Sequence, residues 1–125
     1  MTETTAVLTL LLAGDHRRAL KDQPGLLLSA GRPMVGTEIR IVDEDDAPVP
    51  NGTIGEILGR GPQLMRGYGN LPEETAQALR GGWMHTGDAG IVDDDGYVYV
   101  QDRVKDMIVS GGENIYPRVV EEALF

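Results

Sequence analysis

Thr37-Glu38-Ile39-Arg40-Ile41 alternates polar and apolar side chains with a period of two, a pattern only a half-buried strand accommodates. Ile39 and Ile41 fall on one face, and Glu38 and Arg40 on the other. An acidic loop, Asp43 to Pro50, leads to the turn dipeptide Asn51-Gly52. Ile54, Ile57 and Leu58 then supply a second strand with Gly55 as a bulge candidate, and the two strands are expected to pair as neighbours. Further on, Ile91-Val92 and Tyr97-Val98-Tyr99-Val100 flank Asp93-Asp94-Asp95-Gly96, which reads as a hairpin whose turn takes its positive φ from Gly96. That hairpin delivers Asp102 and Arg103 at its exit.

Helices are fewer and shorter. Pro72 to Leu79 has Pro in the first turn, Glu73 and Glu74 at the positive end of the dipole and Gly81-Gly82 beyond it, which predicts a short helix. Near the end, Met107-Ile108-Val109 reads as a short strand, Ser110-Gly111-Gly112 as a turn and the segment from Pro117 as a helix. Val120 and Leu124 form an apolar stripe on it that needs a partner surface. The first 28 residues are ambiguous. Their apolar run Val7-Leu8-Thr9-Leu10-Leu11-Leu12 falls far short of the roughly 20 residues of a membrane span. It follows Glu3 rather than a basic residue, so it reads as a buried strand or helix end and not as a signal peptide.

With 17 Gly, 7 Pro and 5% aromatic residues, the 125-residue chain is turn-rich and mainly β with short helices, an α+β class. A chain of this length and 41% hydrophobic content can bury a core. The net charge of −9 opposes a nonspecific grip on nucleic-acid phosphates. The lack of cysteine removes disulfides, thiolate metal sites and cysteine nucleophiles, and accords with a reducing, cytoplasmic setting. His16 and His85 form no constellation for metal or nucleophilic catalysis. The acidic runs Asp43 to Asp46 and Asp93 to Asp95 lack EF-hand spacing and read as solvated turns.

Four segments carry chemistry. Asp88 stands in Thr86-Gly87-Asp88, where a flanking glycine lets a ligand approach the backbone and an ionised carboxylate can accept from both hydroxyls of a vicinal diol. It could equally be a plain turn residue. Arg103 offers a planar fork of donors for ribose oxygens, phosphate or carboxylate, or an ordinary ion pair. Lys105 is a solvated surface lysine or a pivot. Ser110-Gly111-Gly112-Glu113-Asn114 lacks the lysine of a P-loop and is not a triphosphate cradle.

The run from Trp83 to Pro117, with Thr86-Gly87-Asp88, Arg103-Val104-Lys105-Asp106 and Gly111-Gly112-Glu113-Asn114-Ile115-Tyr116-Pro117 in that order, resembles the late signature region of acyl-CoA synthetases in the adenylate-forming superfamily. The resemblance implies that Asp88 grips the ribose hydroxyls of ATP or AMP and that Arg103 contacts the nucleotide. It makes Lys105 the hinge of a rotating C-terminal domain, and it lines the pantetheine tunnel of coenzyme A with Ser110, Gly111 and Gly112. Met1-Thr2-Glu3-Thr4 is similar to a family motif whose Thr meets the α-phosphate and whose Glu binds Mg²⁺, which implies those roles for Thr2 and Glu3. Read as bare residues, a chain terminus tends to fray.

The implied architecture is a distorted β-barrel-like subdomain over 29–104, preceded by the tail of the large AMP-binding domain at 1–28 and followed by the hinge and start of a small domain at 105–125. The implied activity is ATP-dependent ligation of a carboxylic acid, a fatty acid above all, to coenzyme A. The chain lacks the family's phosphate loop and catalytic lysine, so it is expected to be a truncated fragment, inactive alone and prone to self-association through exposed apolar faces. The alternatives are a noncatalytic β-rich interaction or nucleotide-binding module, or an adenylation domain that does not use coenzyme A.

Overall fold

The computed structural model describes residues 1–5, 7–106, 108–110, 113–115 and 117–124; at 109, 110, 113, 114, 118, 119 and 122 it describes the backbone alone. A 3-10 turn, Thr2–Thr4, is followed by β1 (Thr9–Leu10), α1 (Ala13–Lys21), a second 3-10 segment (Pro24–Leu28) and β2 (Arg32–Pro33). The main sheet holds β3 (Glu38–Val42), β4 (Gly55–Arg60), β5 (Met84–Val92) and β6 (Val98–Arg103), with α2 (Pro72–Ala78) between β4 and β5. A 3-10 turn at Val104–Asp106 leads to the pair β7 (Ile108–Ser110) and β8 (Glu113–Ile115), and then to α3 (Pro117–Leu124).

The main sheet is antiparallel throughout, in the order β3-β4-β5-β6, so it is an open meander and no strand returns to close a barrel among the described residues. Part of the outer edge of β6 is nonetheless covered. Ala30 N donates to Val98 O at 2.7 Å and Val98 N to Gly31 O at 2.9 Å, which satisfies backbone groups that an edge strand would otherwise expose.

The alternation at Thr37–Ile41 fixes which face of β3 is buried. Ile41 sits opposite Ile57 and packs with Val98, while Ile39, Val49 and Val92 fill in around them. The other face is not bare, because Val42, Leu58 and Trp83 form a second cluster there. Arg40 and Arg60 stack over the Trp83 ring at 4.4 and 4.5 Å, so the charged residues of β3 and β4 cover an aromatic plane. Gly55 does not make the expected bulge, since it pairs in register with Gly90. The bulge is on β5 instead, opposite the step from Glu56 to Leu58, where β5 needs more residues than β4 to cover the same span.

The ambiguous opening segment becomes mostly helix. Asp15 caps α1 by accepting from Leu12 N at 3.0 Å, and its other oxygen accepts from the Tyr97 hydroxyl at 2.6 Å. Arg18 donates to that hydroxyl at 2.6 Å, and Ala19, Leu26 and Tyr97 form the cluster that seats α1 on the sheet. The apolar run before it is not buried as expected, because β1 keeps only two residues and Leu10 and Leu12 remain exposed. The helix predicted from Pro72 and the hairpin turning at Gly96, where φ is 82°, stand where the sequence puts them. Val120 and Leu124 on α3 are exposed, as the unpartnered stripe requires.

Candidate functional site

Thr86-Gly87-Asp88 is not a loop turn but a bulge inside β5. Glu56 pairs with Ala89 and Leu58 with His85, so Ile57 alone on β4 faces Thr86, Gly87 and Asp88 together. Gly87 takes φ 72°, a conformation that side-chain-bearing residues avoid, and this lets the extra residues leave the ladder without breaking it. The displaced backbone groups find side-chain partners instead. Thr86 Oγ1 donates to Ile57 O at 2.7 Å and accepts from Asp88 N at 3.1 Å, while Gly87 N donates to Glu56 Oε1 at 3.0 Å.

The bulge lifts Asp88 to face Arg103. The two are cross-strand partners in β5 and β6, and Arg103 Nε lies 3.4 Å from Asp88 Oδ1. The Arg103 side chain is 63% exposed and that of Asp88 32%. An ion pair so accessible to water contributes little stability, so neither group is committed to the other. Asp88 and Thr86 line a cleft of about 370 Å³ with Ile39, Ile57, Val98 and Val100, and Met1 and Thr4 line it as well.

The opening residues are docked rather than frayed. Thr4 is 1% exposed and its hydroxyl donates to Met1 O, Thr5 Oγ1 donates to Gln63 O at 2.7 Å, and Met65 N donates to Glu3 O at 2.7 Å. Burial of Thr4 and these long-range bonds explain why the terminus holds. Glu3 Oε1 accepts from the Tyr68 hydroxyl at 3.1 Å. Burial, followed by the Glu3 carboxylate, raises the Tyr68 pKa. Tyr68 and Gln63 are residues that reading the sequence missed, because only tertiary contact joins them to the start of the chain. Thr2 is exposed and lies next to Met1 rather than in the cleft wall.

Lys105 is exposed on the 3-10 turn after β6. Its neighbour Val104 lines a different cleft of about 500 Å³ with Val42, Glu56 and Ala89. Val42 and Glu56 pair on one face of the regular β3–β4 ladder and Ile41 and Ile57 on the other, so the cleft lined by Val42 and Glu56 is on the opposite face of the sheet from the one lined by Ile57 and Asp88. Ser110 closes β7 opposite Glu113, and Gly111 and Gly112 lie outside the described residues. The structure thus joins Asp88 to Arg103 and brings Thr4 into the wall of the cleft that Asp88 lines.

This sheet is that of an adenylate-forming enzyme. O-succinylbenzoate coenzyme A synthetase (MenE) of Bacillus subtilis, in complex with ATP and magnesium ion, matches it with a TM-score of 0.82 and 37% identity, over 100% of this chain and 25% of that one. The chain belongs to the AMP-binding enzyme family, whose model matches residues 1–69. It is 45% identical over 122 residues to the medium/long-chain-fatty-acid–CoA ligase FadD8 of Mycobacterium tuberculosis, which covers 98% of this chain and 20% of that protein. It is 54% identical over 97 residues to a feruloyl-CoA synthase of Amycolatopsis, over 78% of this chain and 20% of that protein. The chain therefore spans 20% of the length of these curated relatives.

Proposed function

We propose that this chain carries the nucleoside-facing sheet of an ATP-dependent acid–CoA ligase and does not complete the reaction by itself. The observation that carries the reading is the convergence of Asp88, which lines a cleft on one face of the sheet, with Arg103, 3.4 Å from its carboxylate. A carboxylate with spare acceptor capacity suits the two donors of a ribose diol, and the adjacent guanidinium suits ribose oxygens or phosphate. The parent reaction has two steps. A carboxylate attacks the α-phosphorus of ATP to form acyl-AMP with loss of pyrophosphate, and the coenzyme A thiol then displaces AMP to form the thioester. Within it, Asp88 and Arg103 fix the nucleoside, so that placement rather than acid–base chemistry is this sheet's contribution.

Thr2 and Glu3 belong to the same reading, as the phosphate-facing hydroxyl and the Mg²⁺ ligand. Glu3 fits that role, since its described hydrogen bond is made through Oε1, leaving Oε2 for a cation that also takes phosphate oxygens. Mg²⁺ would supply charge neutralisation of the triphosphate. Lys105 is the pivot, Ser110 with Gly111 and Gly112 the thiol channel, and the boundaries fall at 28 and 104. The acid is a fatty or aromatic carboxylic acid, the two kinds named in the relatives described above. No helix among the described residues is long and apolar enough to cross a membrane. A cytoplasmic location completes the proposal.

Titration of AMP into the 125-residue chain, followed by NMR, tests this reading. The amides of Asp88 and Arg103 are expected to shift together and saturate. Shifts absent at both positions, or an isolated chain that turns over ATP, coenzyme A and a fatty acid, would overturn it.

A further inference from the structure

We infer that Glu56 is a positioning residue for the nucleoside site, acting through the backbone of the β5 bulge from the opposite face of the sheet. The inference rests on the reading of Asp88 as a ribose ligand and adds the group that holds it. Residues at a three-to-one bulge lose their ladder partners, and an unheld bulge samples several conformations. Here Glu56 Oε1 accepts from Gly87 N at 3.0 Å, the amide immediately before Asp88. The same carboxylate accepts from His85 Nδ1 at 2.9 Å through Oε2, so one side chain ties the residues on both sides of Thr86. An ionised carboxylate only accepts, so in this bond Nδ1 is the donor.

Glu56 is itself well fixed. Its side chain is 18% exposed, Arg80 Nη2 lies 3.7 Å from Oε2, and Arg80 is held in turn by two bonds of 3.0 Å to Asp46. Asp46, Glu56 and His85 bring ligand atoms within 4.8 Å of one another, but the Arg80 guanidinium already supplies positive charge to both carboxylates. The cluster is therefore a brace and not a metal site. Its chemistry matches the need at Gly87, since a charged acceptor makes a stronger bond to a backbone amide than a neutral one does.

Two measurements on the full chain test this. Without nucleotide, hydrogen exchange at the Gly87 amide is expected to be protected in the wild type. In Glu56→Ala it should speed up by about tenfold or more, with protection at Ile41 and Val98 unchanged. With nucleotide, the wild type should prefer AMP over 2′-deoxy- and 3′-deoxy-AMP. Glu56→Ala should lose most of that preference, a loss that simple destabilisation, which weakens all three ligands alike, does not produce. Glu56→Gln should restore both readouts, because its amide oxygen still accepts from Gly87 N and its NH2 can donate to the other tautomer of His85. If Glu56→Ala does not fold, Glu56→Asp, whose carboxylate is withdrawn by one carbon, carries the same comparison. Gly87 exchange and ligand preference unchanged in a folded variant would overturn the inference. A wild type indifferent to the ribose hydroxyls would instead sink the reading of Asp88, and the exchange arm would still decide whether Glu56 holds the bulge.

Discussion

At the scale of single residues, Asp88 should dominate nucleotide affinity. Replacing it with Asn keeps the shape and removes the charge, and one charge-assisted bond of about 1.5–3 kcal/mol corresponds to a loss of roughly 10- to 100-fold in AMP affinity by calorimetry. A second residue-level prediction concerns Tyr97, which is fully buried and bonded to Asp15 and Arg18. The hydrogen bond from Tyr97 holds the Asp15 carboxyl below its ordinary value of 3.8, and the same bond raises the Tyr97 phenol above 10.0. A depressed carboxylate contributes stability that is present above its unfolded pKa and lost as pH falls through the folded one. A raised phenol contributes stability that is present below its unfolded pKa and lost as pH rises through the folded one. Tyr97→Phe should therefore lower the urea midpoint near neutral pH and flatten its fall as pH drops below the ordinary carboxyl value of 3.8.

At the scale of elements, the sheet tolerates substitution very unevenly. A Cβ on Gly90 would come within 2.4 Å of Tyr99 O and 2.8 Å of Ile57 Cδ1, both across strand interfaces. Backbone cannot give way there, so Gly90→Ala should separate β5 from β6 and lose the protection of both strands in hydrogen exchange. Ile57 is the one β4 residue under the bulge and belongs to the cluster with Ile41 and Val98. Ile57→Ala should cost about 2–5 kcal/mol in denaturant unfolding. Surface pairs behave differently. Glu38→Gln, which breaks the exposed 2.7 Å bridge to Arg60 but leaves Arg60 over Trp83, should change the same measurement far less than Ile57→Ala does.

At the scale of the whole molecule, apolar side chains stand on several outer surfaces. Leu20 is 80% exposed, Leu28 74%, Val35 105% and Leu124 72%. Exposed apolar surface drives association when it is contiguous. The chain should form concentration-dependent oligomers in sedimentation velocity, and Leu20→Lys with Leu28→Lys should shift the distribution toward monomer.

Local chemistry was legible in the sequence. Alternation marked β3, a glycine after three aspartates marked the β5–β6 turn, and proline with two glutamates marked α2, because each depends on residues close together in the chain. The resemblance carried by Thr86-Gly87-Asp88 and the residues after it also led to the family. What only the tertiary structure decided was how distant residues meet. It turned the expected glycine turn into a bulge, set Arg103 against Asp88, docked Glu3 on Tyr68, and brought Glu56 behind Gly87. A difference of two residues in how β4 and β5 are paired produces that bulge, and register between strands depends on the packing of both faces at once, which no local pattern records.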